Sequence, residues 1–109
     1  MKKTKIIKKR VHREFKDYVL EKLQDHKFAR AYLNEAFAAG DQQAFLLALK
    51  NVLAVHGGDM TTIAEEAQLS RQNLYRILSK EGNPKLTSIR SMLHVAGFEL
   101  AVQPYKGGK

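Results

Sequence analysis

Residues 60–79 read Met-Thr-Thr-Ile-Ala-Glu-Glu-Ala-Gln-Leu-Ser-Arg-Gln-Asn-Leu-Tyr-Arg-Ile-Leu-Ser, and their apolar spacing is that of two short helices crossing at a tight turn. Ile63, Ala64 and Ala67 line one side of the first helix, Leu74, Ile77 and Leu78 one side of the second, and Leu69 fills the corner. Ala64 stands where the second helix approaches most closely, and a methyl group is about the largest side chain a short interaxial distance admits at a steep crossing. Ser70 precedes the second helix, where its hydroxyl can cap orphan backbone N–H groups for roughly 1 kcal/mol. Thr62 with Glu65 three residues on forms a capping box for the first helix, with Thr61 or Asp59 as alternative caps. Gln68 holds the turn position that usually takes glycine, because a left-handed backbone there costs a residue with a Cβ roughly 1 kcal/mol.

This pattern predicts a DNA-binding helix-turn-helix. At about 100° per residue, burying Leu74 through Leu78 points Gln72, Arg76 and Ser79 outward, with Asn73 and Tyr75 on the flanks and Arg71 near the exposed N-terminal end. Gln and Asn can pair bidentately with adenine and Arg with guanine in a major groove, each good pair giving about 1–3 kcal/mol of base discrimination. Arg71, Gln72, Asn73, Tyr75 and Arg76 are therefore the expected base-contacting residues. Thr62, Ser70, Lys80 and Lys85 are the expected phosphate contacts.

Charge supports the same side of the molecule. The chain has 109 residues and a net charge of +8, divided unevenly. Residues 1–16 carry eight Lys or Arg against Glu14, a net +7; residues 17–66 carry four basic and eight acidic side chains, a net −4; residues 67–109 carry seven basic and two acidic, a net +5. A polyanion prefers the basic arm and the C-terminal part, where Arg71, Arg76, Lys80, Lys85 and Arg90 lie, and the acidic part would attract a basic protein instead.

The length fits one domain with a modest core, too small for a catalytic domain with a deep cleft. There is no cysteine, which removes disulfides and thiolate metal sites and fits a reducing cytoplasm. The longest apolar run, Ala44 to Leu49, is far below membrane-spanning length, and no signal-peptide pattern follows the basic N-terminus. The expectation is a cytoplasmic protein with no membrane partner. His12, His26, His56 and His94 are scattered, without metal-ligand spacing, and Glu65 and Glu66 diverge on a helix. The glycine pairs Gly57-Gly58 and Gly107-Gly108 lack the context of a phosphate loop. No catalytic, metal or cofactor residues are expected, and the chain reads as a binding protein rather than an enzyme.

The chain divides into three regions: a basic arm over residues 1–11, a domain over 12–104, and a tail over 105–109. The arm either lies along phosphates, enters a minor groove, or is solvated. From Asp17 the pattern is helical. Tyr18, Val19, Leu20 and Leu23 mark a short helix, and Phe28, Tyr32, Leu33, Ala36 and Phe37 give the next a broad apolar face. Gly40-Asp41 is a stop and a start, and a third helix runs from about Gln42 to His56, with Phe45, Leu49, Val52 and Leu53 inward. Gly82-Asn83-Pro84 separates the helix-turn-helix from a sixth helix, Thr87 to Ala96, ended by Gly97. Phe98, Leu100 and Val102 then alternate with Glu99, Ala101 and Gln103, which predicts a short C-terminal strand. It would pair with its copy in a second subunit or with Lys5–Val11, or else lie as an extended tail on its own domain. A homodimer would present two recognition helices to a palindromic site.

These residues also carry a family resemblance. Ala31-Tyr32-Leu33-Asn34-Glu35-Ala36, Gly40-Asp41, Met60 to Ile77 with Leu69-Ser70-Arg71 and Leu74-Tyr75-Arg76, Gly82-Asn83-Pro84 and Gly97-Phe98-Glu99-Leu100 resemble the addiction-module antidote family over about residues 12–104. Gln68 and the long basic arm depart from its pattern. The resemblance implies an all-α bundle of about five to six helices of lambda-repressor-like type, with a phage-repressor and Cro-type helix-turn-helix. It further implies a partner toxin, typically a small basic RelE-like ribonuclease encoded alongside, and repression of the shared operon. On this basis acidic surfaces between Asp17 and Asp41, with Glu21, Asp25 and Glu35, are expected to contribute to toxin binding. The alternatives are a stand-alone phage-type transcriptional repressor and a protein-interaction module on a helix-turn-helix scaffold.

Overall fold

The computed structural model describes residues 15–79 and 81–107, and among them six helices build the domain. In chain order they are α1 (15–22), α2 (His26–Ala38), α3 (Gln42–His56), α4 (Met60–Ala67), α5 (Arg71–Ile77) and α6 (Leu86–Val95). The basic arm expected over residues 1–11 and the side chain of Lys80 lie outside the described residues. Four of the starts have a local cause: Asp25, Asp41, Asp59 and Ser70 adopt extended backbone and accept a hydrogen bond from an N–H of the first helical turn. For α4 the cap is therefore Asp59, the alternative to the Thr62–Glu65 box.

The core is a continuous cluster in which α3 packs against α2 and α6, and α4 against α6 and α5. Leu23, Ala29, Leu49, Val52, Leu74 and Met92 are fully enclosed, and among the described residues no polar or charged one is buried. On α2 the inward face is rotated from the expected one. Ala29 and Leu33 are buried and Tyr32 and Ala36 are partly buried, whereas Phe28 and Phe37 stay exposed at 40% and 60%. A methyl group at Ala29 leaves α2 in close contact with the core. The two phenylalanines flank it, Phe28 stacked on Tyr32 and Phe37 edge-on to Phe45. Tyr18 is exposed as well, while Val19, Leu20 and Leu23 carry the α1 contacts.

The expected C-terminal strand over residues 98–103 is absent: among the described residues there is no strand. Gly97, at φ 91°, turns the chain after α6. The amides of Gly97 and Phe98 bond back to the carbonyls of His94 (3.0 Å) and Leu93 (2.8 Å), the two bonds of a Schellman closure. Phe98 then stacks on His26 with ring centroids 4.2 Å apart, and Leu100 packs on the core while Val102 is fully exposed. The alternation thus belongs to an extended segment lying on its own domain, where Phe98 and Leu100 are satisfied by packing and no ladder is required.

The turn between α4 and α5 has the backbone that the spacing requires. Gln68 sits at φ 60°, ψ 43°, the only non-glycine at positive φ among the described residues. Its amide bonds the Glu65 carbonyl at 3.1 Å and that of Leu69 the Ala64 carbonyl at 2.8 Å, so the last carbonyls of α4 are satisfied. Because the strain resides in the Cβ, Gln68→Gly should raise the unfolding free energy by about 0.5 kcal/mol after allowing for its looser unfolded chain. Gln68→Val should lower it by about 1 kcal/mol or more. Thermal melts ordered Gly, Gln, Val from most to least stable support this; a Gly variant that melts below wild type shows that the glutamine side chain makes up for the strain.

Candidate nucleic-acid interface

Helix α5 has seven residues and is held by its inner face. Leu74 is fully buried, Ile77 and Leu78 nearly so, and Ala64 and Ala67 of α4 are 2% and 3% exposed. An isolated helix this short is unstable in water, so the direction of its polar face is set by those contacts. The face carries the residues expected there: Arg71, Gln72, Tyr75, Arg76 and Ser79 are exposed and Asn73 is half-buried. Of the expected site residues, Arg71, Gln72, Asn73, Tyr75 and Arg76 all lie on this one helix.

Their side chains are already ordered by one another. Asn73 Oδ1 accepts from Arg76 Nη2 at 2.8 Å, and the guanidinium of Arg71 lies 5.9 Å from the Tyr75 ring centroid. Ser79 Oγ donates to the Arg76 carbonyl at 2.7 Å and closes the helix end. Ser70 Oγ accepts from the Asn73 amide at 3.0 Å, so it serves first as the cap of α5 while its own O–H stays free to donate. Thr62 lies in the first turn of α4, where its amide donates to Asp59 Oδ1 at 2.8 Å. Lys85 is exposed at the start of α6 and gives that helix no side-chain cap. Arg90 is partly neutralised, with Nε 3.8 Å from Glu99 Oε2.

Two polar arrangements had no signal in the sequence. Gln42, at the start of α3, donates Nε2 to the Gly82 carbonyl at 3.0 Å and to Asn83 Oδ1 at 3.3 Å, tying the loop after α5 to a residue 40 positions earlier. The same loop is pressed on α5 so tightly that a Cβ on Gly82 would collide with the Ile77 carbonyl. Two of the four scattered histidines also come together. His56 Nε2 lies 2.6 Å from the Leu23 carbonyl, which can only accept, so that nitrogen carries the proton. His26 meets His56 edge-on at 5.1 Å and stacks on Phe98. These rings are packing and capping elements, and no group of three or more metal-ligating side chains occurs among the described residues.

The chain matches the model of a family described as "probable addiction module antidote protein" over residues 14–104. It belongs to that family. The chain is also 30% identical over 91 residues to an uncharacterised protein of Haemophilus influenzae, the alignment covering 83% of this chain and 92% of that protein. No solved structure matches it significantly. Membership implies a toxin as partner and suggests a regulatory role. Among the described residues no helix is long and apolar enough to cross a membrane.

The Asp59 carboxyl is held below its ordinary value. The Thr62 backbone N–H contributes most, then the Thr62 hydroxyl, with smaller help from Arg71 and the Thr61 amide against weak desolvation. A depressed folded pKa adds stability that is fully present above the unfolded value of 3.8 and is lost as pH falls through the folded one. Asp59→Asn keeps a capping oxygen without the titration. The stability gap between wild type and this variant should therefore be constant above about pH 5 and shrink toward pH 2, as read from melts across that range. A gap that does not change with pH would show that the cap acts through geometry alone.

Proposed function

We propose that this antidote is a DNA-binding antitoxin that neutralises a cognate RelE-like toxin by binding it and, as a homodimer in the cytoplasm, represses its own operon through a helix-turn-helix of phage-repressor type. The observation that carries the DNA half is the α4–Gln68–α5 unit, which fixes a short helix by three buried apolar residues and turns Gln72, Asn73 and Arg76 to solvent. Family membership carries the antitoxin half.

In this reading α5 enters the major groove. The Asn73–Arg76 hydrogen bond leaves the Asn73 amide N–H groups and the remaining guanidinium donors for base edges, so the two side chains act as one pre-oriented reading element. Gln72 reads beside them. Arg71 and Tyr75 contact base or backbone at the groove edge, and Thr62, Ser70, Lys80 and Lys85 take phosphates. The Gln42 bonds to Gly82 and Asn83 fix the loop that delivers Lys85. Two copies place two such helices on a palindromic operator.

Anisotropy titrations with the chain's own upstream region and with a random duplex separate the two kinds of contact. Arg76→Ala should cost about 1–3 kcal/mol on the operator and little on random DNA. Lys85→Ala should weaken both alike and flatten the slope of log K against log salt by about one. Equal losses on both duplexes for both variants would mean that α5 does not read bases. For the antitoxin half, the chain should restore growth when the small open reading frame beside its gene is induced; continued growth arrest overturns it.

A further inference from the structure

The acidic side chains that share one segment of the sequence do not share one surface. Asp25 is the cap of α2, accepting from the Lys27 amide at 3.0 Å, and Asp41 caps α3 in the same way. Glu35 lies on the outside of α2. Asp17 and Glu21 differ from these. With Leu20 they occupy one face of α1, at the i, i+3, i+4 spacing of a helical stripe, and together with Gln24 in the turn that follows they line an open groove whose other wall is Ala54, Val55 and His56 at the end of α3.

The groove has an apolar floor and an anionic rim. Leu20 and Val55 are partly buried against the core, and His56 is fixed by its bond to the Leu23 carbonyl, so the floor is pre-formed. Asp17 and Glu21 are exposed, and among the described residues neither side chain makes an ion pair or hydrogen bond. One helical turn apart, they can both be reached by a single guanidinium or by two neighbouring basic side chains. Among the described residues these two carboxylates cap no helix and neutralise no cation.

We propose that this α1/α3 groove is the toxin-docking site of the antidote, and that it takes a cationic amphipathic segment of the toxin whose Lys or Arg residues meet Asp17 and Glu21 while an apolar side chain covers Leu20 and Val55. The proposal rests on the toxin-binding reading above. The groove is lined by α1 and α3 and not by α5, so occupation of the groove leaves the α5 face open, and one chain can hold toxin and DNA together. Charge supplies both partners' separation: the groove lies in the segment of net −4, which repels DNA, while α5 lies in the segment of net +5.

The test uses the full chain, affinity-tagged and co-expressed with the neighbouring open reading frame, with capture read at moderate salt. The variant pair Asp17→Lys with Glu21→Lys should lower capture by about tenfold or more, with its melting curve unchanged and its DNA affinity undiminished. Glu66→Lys, which carries the same kind of charge change at an exposed position of α4 outside the groove, should leave capture within about twofold. If wild type captures toxin and the groove variants capture it equally well, the groove is not the site, although the toxin reading stands. Equal losses from Glu66→Lys would assign the effect to the general field and overturn the proposal. A drop in native mass on altering Asp17 and Glu21 would make the occupant a second copy, and a gain in their reactivity toward a carboxyl-labelling reagent on deleting residues 2–13 would make it the chain's own arm; either result overturns it. If wild type captures nothing, the toxin reading fails and the docking site falls with it.

Discussion

Gln68 carries a side chain in a backbone conformation that L-residues avoid, and the placement of α5 depends on the chain turning there. The residues on either side hold the turn. Leu69 bonds back to the Ala64 carbonyl and packs on the core, while Ala64 and Ala67 keep α4 thin enough for α5 to approach. Burial of Leu74, Ile77 and Leu78 then outweighs about 1 kcal/mol of left-handed strain, since enclosing one such side chain gains about 1.5–3 kcal/mol. A seven-residue helix with no stability of its own is thereby given one orientation, and that orientation determines which of its residues face outward.

The polar contacts on α5 are local where the packing is not. Ser70 to Asn73, Asn73 to Arg76 and Ser79 to Arg76 each span three residues, so they organise the outer face without constraining the inner one. The long-range polar tie is made elsewhere, from Gln42 to the loop behind α5. Substitutions on the outer face therefore have little effect on folding, whereas changes at Gly82 or Ala64 act on the fold first.

The helices are legible in the sequence because their signals are local. The Gly40-Asp41 boundary, the span of α3 and the buried sides of α4 and α5 come from caps, glycines and a 3.6-residue period, all of which are set within a few residues. What distant segments do to one another is not legible in this way. The inward face of α2 is decided by Ala29 meeting its neighbours, and periodicity cannot distinguish that from a face centred on the larger Phe28. Asp59 prevails over Thr62 as the cap because a carboxylate accepts more strongly from the helix N-terminus than a hydroxyl. Neither Gln42–Gly82 nor His26–Phe98 leaves any trace in local pattern.

The terminal segment shows why alternation alone does not define a strand. A period of two records only that every second side chain has an apolar surface to meet, and two surfaces satisfy it: the pleat of a sheet, or the flank of the chain's own domain. The His26 ring supplies such a flank for Phe98, and it is fixed there from two sides, by His56 across its edge and by the close approach of Gly97, whose Cβ would lie 3.1 Å from His26 Nε2. Glu99 then points away and is held by His94 at 3.1 Å, which with Arg90 keeps its carboxyl below the ordinary value. With one neighbour stacked and the next ion-paired, the segment is anchored over Phe98 and Glu99. Beyond Leu100 these contacts end and Val102 is fully exposed, so the apolar alternation outlasts the surface that accounts for its first half.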